Sequence, residues 1–214
     1  MKPPTSHQPS SAECPAQDAA QDAAQDAAPN DDALDDDDGH AASEGVRGAA
    51  VRELEPGELG PDELRQALGR FVTGVTIVTC RDENGAPVGL TANSFNALSL
   101  DPPLVLWSLR EASASIAAFT TASHFAVNVL SADQVDLSRR FARPSSAKFD
   151  EGEWSDGQGG APLLAGCVAV FECRRRSHHP AGDHVLFIGE VERIGGSAST
   201  PLVYHAGHYR TLCE

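Results

Sequence analysis

In the stretch GLTANSFNALSLDPPLVLWSL, residues 89–109, the short hydrogen-bonding side chains Thr91, Asn93, Ser94, Asn96 and Ser99 stand directly before an apolar run fenced off by Pro102 and Pro103. Hydroxyl and amide groups beside exposed backbone N–H groups can hold an anion or another oxygen-rich ligand without a formal positive charge. The same residues also suit a plain polar hairpin turn entering a strand. In a second cluster, SHHPAGDH, the residues His178, His179, Asp183 and His184 fall close together. A metal site is conceivable there. The cluster sits on a predicted β-turn with no matching ligand set elsewhere, so an ordinary polar hairpin end is expected and no metal. The familiar catalytic signatures are absent: there is no G-x-S-x-G, no Walker loop and no H-E-x-x-H. The glycine-rich run at 157–160 lacks the preceding strand that a dinucleotide fingerprint requires.

The elements that must position these residues can be read from pattern. GPDELRQALGRF predicts a helix, with Pro61 at a first helical position, Asp62 and Glu63 in the first turn, and Leu64, Leu68 and Phe71 on one face. VTGVTIVTCRD is β-branched and predicts a strand, and the Asn84-Gly85 pair after it marks a hairpin. PLVLWSL and HFAVNVL read as strands and SASIAAFTTA as a short helix. SADQVDLSRRFA reads as a helix with Ser131 and Gln134 at capping-box spacing. Residues 143–160 read as a Gly-, Ser- and Asp-rich loop. GCVAVFECRRRSHH and HVLFIGEVERIG predict two strands around PAGD, and PLVYHAGHYRTL ends the chain. Six or seven strands without regular helices between them argue against a doubly wound parallel sheet. They predict a mainly β fold, an antiparallel barrel with two or three short helices outside.

The chain has 214 residues and a formal charge of −15. Residues 1–50 carry 11 acids and two bases, and hold QDAA three times from Gln17 to Ala28. With no Trp, Tyr, Phe, Ile or Val before Val46, this segment cannot bury enough apolar surface to offset its ordering entropy. Residues 1–55 are expected to be a disordered acidic tail, and residues 56–214 the folded domain. An acidic arm for a basic partner is the other reading of the tail. Neither part has the basic surface of a nucleic-acid binder. Five cysteines (Cys14, Cys80, Cys167, Cys173 and Cys213), odd in number and without C-x-x-C, suit a reduced cytoplasmic compartment better than a disulfide framework. No secretory leader and no membrane span are expected.

TGVTIVT, GLTANSFNALSLDPPLVLWSL, HFAVNVLS, GDHVLFIGEV and PLVYHAGHYR occur in this order along residues 61–212. Together they resemble the flavin reductase-like family, whose fold is the FMN-binding split barrel. More narrowly they resemble the NAD(P)H:flavin reductase components of two-component flavin-dependent monooxygenases. The most specific strings are T-x-N-S-F-x-x-x-S-L-D-P-P-L and G-D-H-x-x-F-I-G-E-V.

The resemblance implies a flavin site, for FMN or FAD, at Thr91, Ala92, Asn93, Ser94 and Phe95, with Ser99 nearby. It places Thr73, Gly74 and Val75 at the side of the cofactor and Ser108 at the ring edge. Ser113 and Ser115 would lie at the phosphate with Arg110, and Lys148 and Phe149 over or beside the cofactor. It places His184, the candidate catalytic residue, near the nicotinamide of NADH or NADPH, and Tyr209 and Arg210 closing that side. Each has a bland alternative: Phe95 and Phe149 as core, Ser108 as a satisfied strand end, His184 as a hairpin cap, Arg210 as half of a surface ion pair. The implied reaction is reduction of flavin by NAD(P)H, with reduced flavin passing to a separate monooxygenase, in a homodimer. Two other readings stay open: a non-catalytic FMN-binding or electron-transfer protein, and an oxidoreductase that keeps its flavin and acts on a small organic substrate.

Overall fold

The computed structural model describes residues 57–212. The tail assigned to residues 1–55, Cys14 and Cys213 lie outside the described residues. Helix α1 (Pro61–Gly69) leads into β1 (Thr73–Gly74) and β2 (Thr76–Arg81), followed by β3 (Pro87–Ala92), β4 (Asn96–Leu100) and β5 (Pro103–Arg110). Helix α2 (Ile116–Thr121), β6 (His124–Val129) and α3 (Val135–Phe141) come next. The short strands β7 (Trp154–Asp156) and β8 (Pro162–Leu164) flank a single 3-10 turn. Two 13-residue strands follow, β9 (Ala169–Ala181) and β10 (His184–Gly196), and then the hairpin β11 (Leu202–His205) and β12 (His208–Thr211).

Seven strands form one antiparallel sheet in the order β3-β2-β6-β9-β10-β5-β4. The sheet coils until β3 touches β5, which leaves β4 at the outer edge. Alternate residues point inward. Val78 and Cys80 of β2, Leu90 of β3, Val105, Trp107 and Leu109 of β5, Phe125 and Val127 of β6, Cys173 of β9, and Val185 and Phe187 of β10 fill one core. The ring of Trp107 stacks on Phe187 at 4.7 Å between centroids and meets Phe119 edge-on at 4.8 Å. The other face of β2 is covered as well. Val75 and Ile77 pack with Leu130, Phe141, Leu164, Cys167 and Leu202 in a second core under α3, β8 and β11. A strand buried on both faces explains why β2 is apolar and β-branched without alternation. The architecture is the antiparallel split β-barrel with short flanking helices that the resemblance implied.

Four local readings differ, wholly or in part, from the outcome. Leu64, Leu68 and Phe71 do stand out as an apolar set, but α1 buries no residue, and Phe71 is 73% exposed. The polar string is not all turn, since Asn96–Leu100 form β4 against β5. The 143–160 loop contains β7, paired with β8. Half of the Ser131–Gln134 capping box forms, with the Ser131 N–H donating to Gln134 Oε1 at 3.1 Å, while the helix itself begins one residue later at Val135.

Candidate functional site

On the outer face of β5 and β10, Arg110 lies directly across from His184, and Ser108 from Leu186. Directly opposed residues share a face, so Ser108, Arg110 and His184 project together. Asp183 joins the group from the turn, whose glycine Gly182 takes φ +66°. Its carboxylate lies 2.8 Å from His184 Nδ1 and 3.9 Å from Arg110 Nη2. The hydrogen bond and charge of His184 hold the Asp183 carboxyl below its ordinary value, with Arg110 a smaller contributor. An ionised carboxylate only accepts, so Nδ1 of His184 carries the proton and Nε2 is the nitrogen left to act.

The chain between β3 and β4 is fastened beside this group. Ser94 Oγ donates to the Ser108 carbonyl and accepts from the Ser108 N–H, both at 3.0 Å. Asn93 and Ser94 are half-buried, and Phe95 packs its ring 5.3 Å from Phe171 at the rim of the barrel core. Ser99 is half-buried on β4. Beyond Arg110 the chain turns tightly. The Ser113 N–H donates to the Arg110 carbonyl, and Ser113 Oγ accepts from the Ser115 N–H at 3.3 Å.

A second group gathers around α3. Thr91 Oγ1 donates to the Ser138 carbonyl at 2.6 Å, and Ser138 Oγ lies 2.8 Å from the Tyr209 hydroxyl. Ser138, fully buried, thus joins β3 to β12 through the helix. Burial pushes the Tyr209 phenol up, and the Ser138 hydrogen bond opposes that rise. Lys148 Nζ donates to the carbonyls of Gly89 and Phe141, both at 3.0 Å, and so ties the C-terminus of α3 to β3. Gly89 permits this approach, because a Cβ there would stand 2.7 Å from the Phe141 ring. Phe149 meets Phe141 and Trp154 edge-on.

The predicted residues therefore fall into two groups. Ser94, Ser108, Arg110, Ser113, Ser115 and His184 line one, and Thr91, Lys148, Phe149 and Tyr209 the other. Thr73 and Gly74 lie in β1, across β11 from β12. Val75 is fully buried in the second core, and Ala92 is buried with its carbonyl accepting from Thr76 Oγ1. Arg210 is exposed and, as the neighbour of Tyr209 on one strand, points to the opposite face of β12. Sequence reasoning missed Ser138 and Asp183 as organisers. Ser138 had no signal beyond being a polar residue between apolar helix positions, whereas Asp183 had one in its adjacency to His184. Among the described residues no cluster of three or more His, Cys, Asp or Glu side chains could hold a metal. His179 instead pairs with Ser177, and His178 lies 3.1 Å from an Arg175 nitrogen.

The donor set suits an oxygen-rich organic cofactor. It is made of hydroxyls, amides and one guanidinium, and the Thr73 hydroxyl is buried without a hydrogen-bond partner among the described residues. Comparison with known proteins points the same way. The family described as flavin reductase like domain matches residues 68–213. The FMN reductase (NADH) SmoA of Agrobacterium fabrum is 47% identical over 154 residues, covering 72% of this chain and 87% of that protein. The reductase component of the flavin-dependent trigonelline monooxygenase of Acinetobacter baylyi is 44% identical over 70% of this chain. There the match spans only 48% of the relative, so the chain covers about half its length. The NADH:FAD oxidoreductase SgcE6 of Streptomyces globisporus, solved with NAD and FAD fragments, superposes with a TM-score of 0.70 at 37% identity, over 76% of this chain and 98% of that one.

Proposed function

This chain belongs to the flavin reductase like domain family, and from that premise we propose that it is an NAD(P)H-dependent flavin reductase supplying reduced FMN or FAD to a separate monooxygenase. The observation that carries the reading is the 47% identity, over most of both chains, to an FMN reductase that uses NADH. NADH is accordingly the favoured donor. A homodimer is part of the proposal, supported by the exposed apolar side chains of Leu64, Leu68, Phe71 and Val72.

The flavin, when bound, supplies the hydride-accepting chemistry. The protein's part is to bind and align, because hydride transfer depends on reacting atoms held at about 3–3.5 Å. Thr73, Gly74, Asn93, Phe95 and Ser99 would hold the flavin and its side chain, with Ser113, Ser115 and Arg110 at its phosphate. Ser94 fixes the β3–β4 crossover by its bonds to Ser108. His184, oriented by Asp183, presents Nε2 on the nicotinamide side. No side-chain acid or base is required, which is consistent with the missing catalytic signatures.

The test is to mix purified protein anaerobically with NADH and FMN, and separately with FAD and NADPH, and follow the loss of visible flavin absorbance. Multiple turnovers of free flavin are expected. A protein that binds FMN without bleaching it would be a flavin binder instead, and one that stays yellow through dialysis and turns over an organic substrate would be the third kind.

A further inference from the structure

The segment SRRFAR sets three arginines along α3 and its exit. The backbone keeps turning past the helix end, with the Arg143 N–H donating to the Arg140 carbonyl, so Arg143 falls one turn below Arg139 on the same side. Ser138 and Phe141 point into the protein, buried. Arg140 turns to a different side and pairs with Glu151. The remaining face carries Arg139 and Arg143 and looks onto Tyr209. The Arg139 guanidinium lies 5.8 Å from the centroid of the Tyr209 ring, and both arginines act electrostatically on its phenol.

Two cations placed at i and i+4 repel, and an isolated helix is weakened by such a pair. One acid near Arg139 is Asp136, at 3.3 Å, and its side chain is 91% exposed, a pairing that water and salt weaken readily. Arg143 makes no ion pair among the described residues. The domain as a whole is acidic, so a paired-arginine face is a local exception. It borders Tyr209, which Ser138 fixes and which already belongs to the candidate site. Planar guanidinium forks match the oxygens of phosphate esters, and two of them one helical turn apart can take the two phosphates of a pyrophosphate.

We propose that Arg139 and Arg143 form a phosphate-binding site for the pyrophosphate of the nicotinamide dinucleotide substrate. The identity of the ligand rests on the flavin reductase reading, and the site itself on the geometry. Arg143, at an exposed loop position, would supply the long-range pull. Arg139, held against Tyr209, would supply the fixed contact, exchanging Asp136 for the phosphate.

Binding of ADP, of inorganic pyrophosphate and of adenosine 2′,5′-bisphosphate to the full chain would be measured by titration calorimetry, without flavin or turnover. The expectation is that ADP and pyrophosphate bind wild type, and that Arg139→Glu with Arg143→Glu weakens both at least tenfold. Arg143→Gln alone, at an exposed position, should weaken them severalfold without disturbing folding, and Arg140→Gln should not weaken them. Stronger binding of the 2′,5′-bisphosphate than of ADP would overturn the pyrophosphate assignment in favour of a 2′-phosphate. Absence of binding to wild type, or affinity unmoved by Arg143→Gln and by the double reversal, would overturn the site. Reductase assays on the same samples separate the two readings. Arginine-dependent ADP binding without flavin reduction would leave the site and remove the reaction, while reduction with unchanged KM in the double variant would do the reverse.

Discussion

The hydroxyl of Ser94 lies 3.0 Å from both the backbone nitrogen and the backbone oxygen of Ser108. Two residues beyond the Asn96–Leu106 pair, a side chain does what strand backbone does elsewhere in the sheet. Ser94→Ala removes both bonds and leaves an N–H and a carbonyl of β5 without them. At about 0.5–1.5 kcal/mol per bond, a loss of about 1–3 kcal/mol in unfolding free energy is expected. Urea denaturation measures it, and an unchanged midpoint would show the clasp to be idle. Ser94→Leu, which also puts bulk into the segment that carries Asn93 and Phe95, should in addition weaken flavin binding, read by flavin titration.

His184→Ala should raise KM for NADH or slow flavin reduction while leaving flavin affinity near wild type, measured by stopped-flow at several NADH concentrations. The same variant removes the main cause of the low Asp183 pKa. That carboxyl is depressed in the folded state, so the pairing contributes above the ordinary carboxylate range and is lost as pH falls through the lowered value. In His184→Ala the Asp183 titration, followed by NMR, should move up toward 3.8. A carboxyl that titrates identically in both proteins would contradict the pairing.

Cys80, Cys167 and Cys173 are buried thiols, each pushed up to about 12 chiefly by burial. A neutral form favoured by folding adds stability below the unfolded pKa of 9.0, and that stability is lost as pH rises from 9.0 toward 12. The thermal midpoint should therefore fall with a steepening slope above pH 9. At neutral pH an alkylating reagent should label these three only after denaturant is added. Rapid labelling of Cys173 in the native protein would count against this packing.

Leu68 is 64% and Phe71 73% exposed. If a second copy covers α1, Leu68→Asp with Phe71→Asp should convert a dimer to a monomer in light scattering without lowering the stability of the single chain. A wild-type protein that is already monomeric at micromolar concentration would remove the homodimer from the proposal.

A chain beginning at Gly57 keeps all the elements described above. Its thermal midpoint and flavin-reduction rate are expected to match those of the full chain. A drop of several degrees would show that the preceding residues contribute to the fold.

Strands were legible where one rule decided them. The Asn84-Gly85 turn marked the β2–β3 hairpin, and β-branched residues marked β2 as a strand. Strand β7 was hidden because Trp154, Ser155 and Asp156 sit among glycines and acids, and only pairing with β8 makes them a strand. Asn128 is the polar residue inside the strand HFAVNVL. It is fully buried, donates to the Ile77 carbonyl and accepts from the Leu164 N–H, a role that depends on chain segments far away in sequence. The same holds for the site. Local adjacency offered a signal for the Asp183–His184 pair, whereas the Thr91–Ser138–Tyr209 chain joins three distant segments that composition does not connect.

The strand order also governs how the protein can be made on a ribosome. The β2–β3 and β4–β5 hairpins can close as soon as they emerge, because their partners are neighbours in the chain. β6 can pair with β2 at once, but its other edge waits for β9, and β5 waits for β10. β1 waits longest, since Thr73 pairs with Tyr204. Until the last third of the chain has been translated, the nascent protein presents apolar strands with open edges, a period in which a chaperone or a neighbouring nascent chain competes with β9 and β10 for the same backbone. Slowing translation between Val129 and Ala169 would lengthen that exposure, whereas the same pause after Gly196 would leave only the β11–β12 hairpin still to dock.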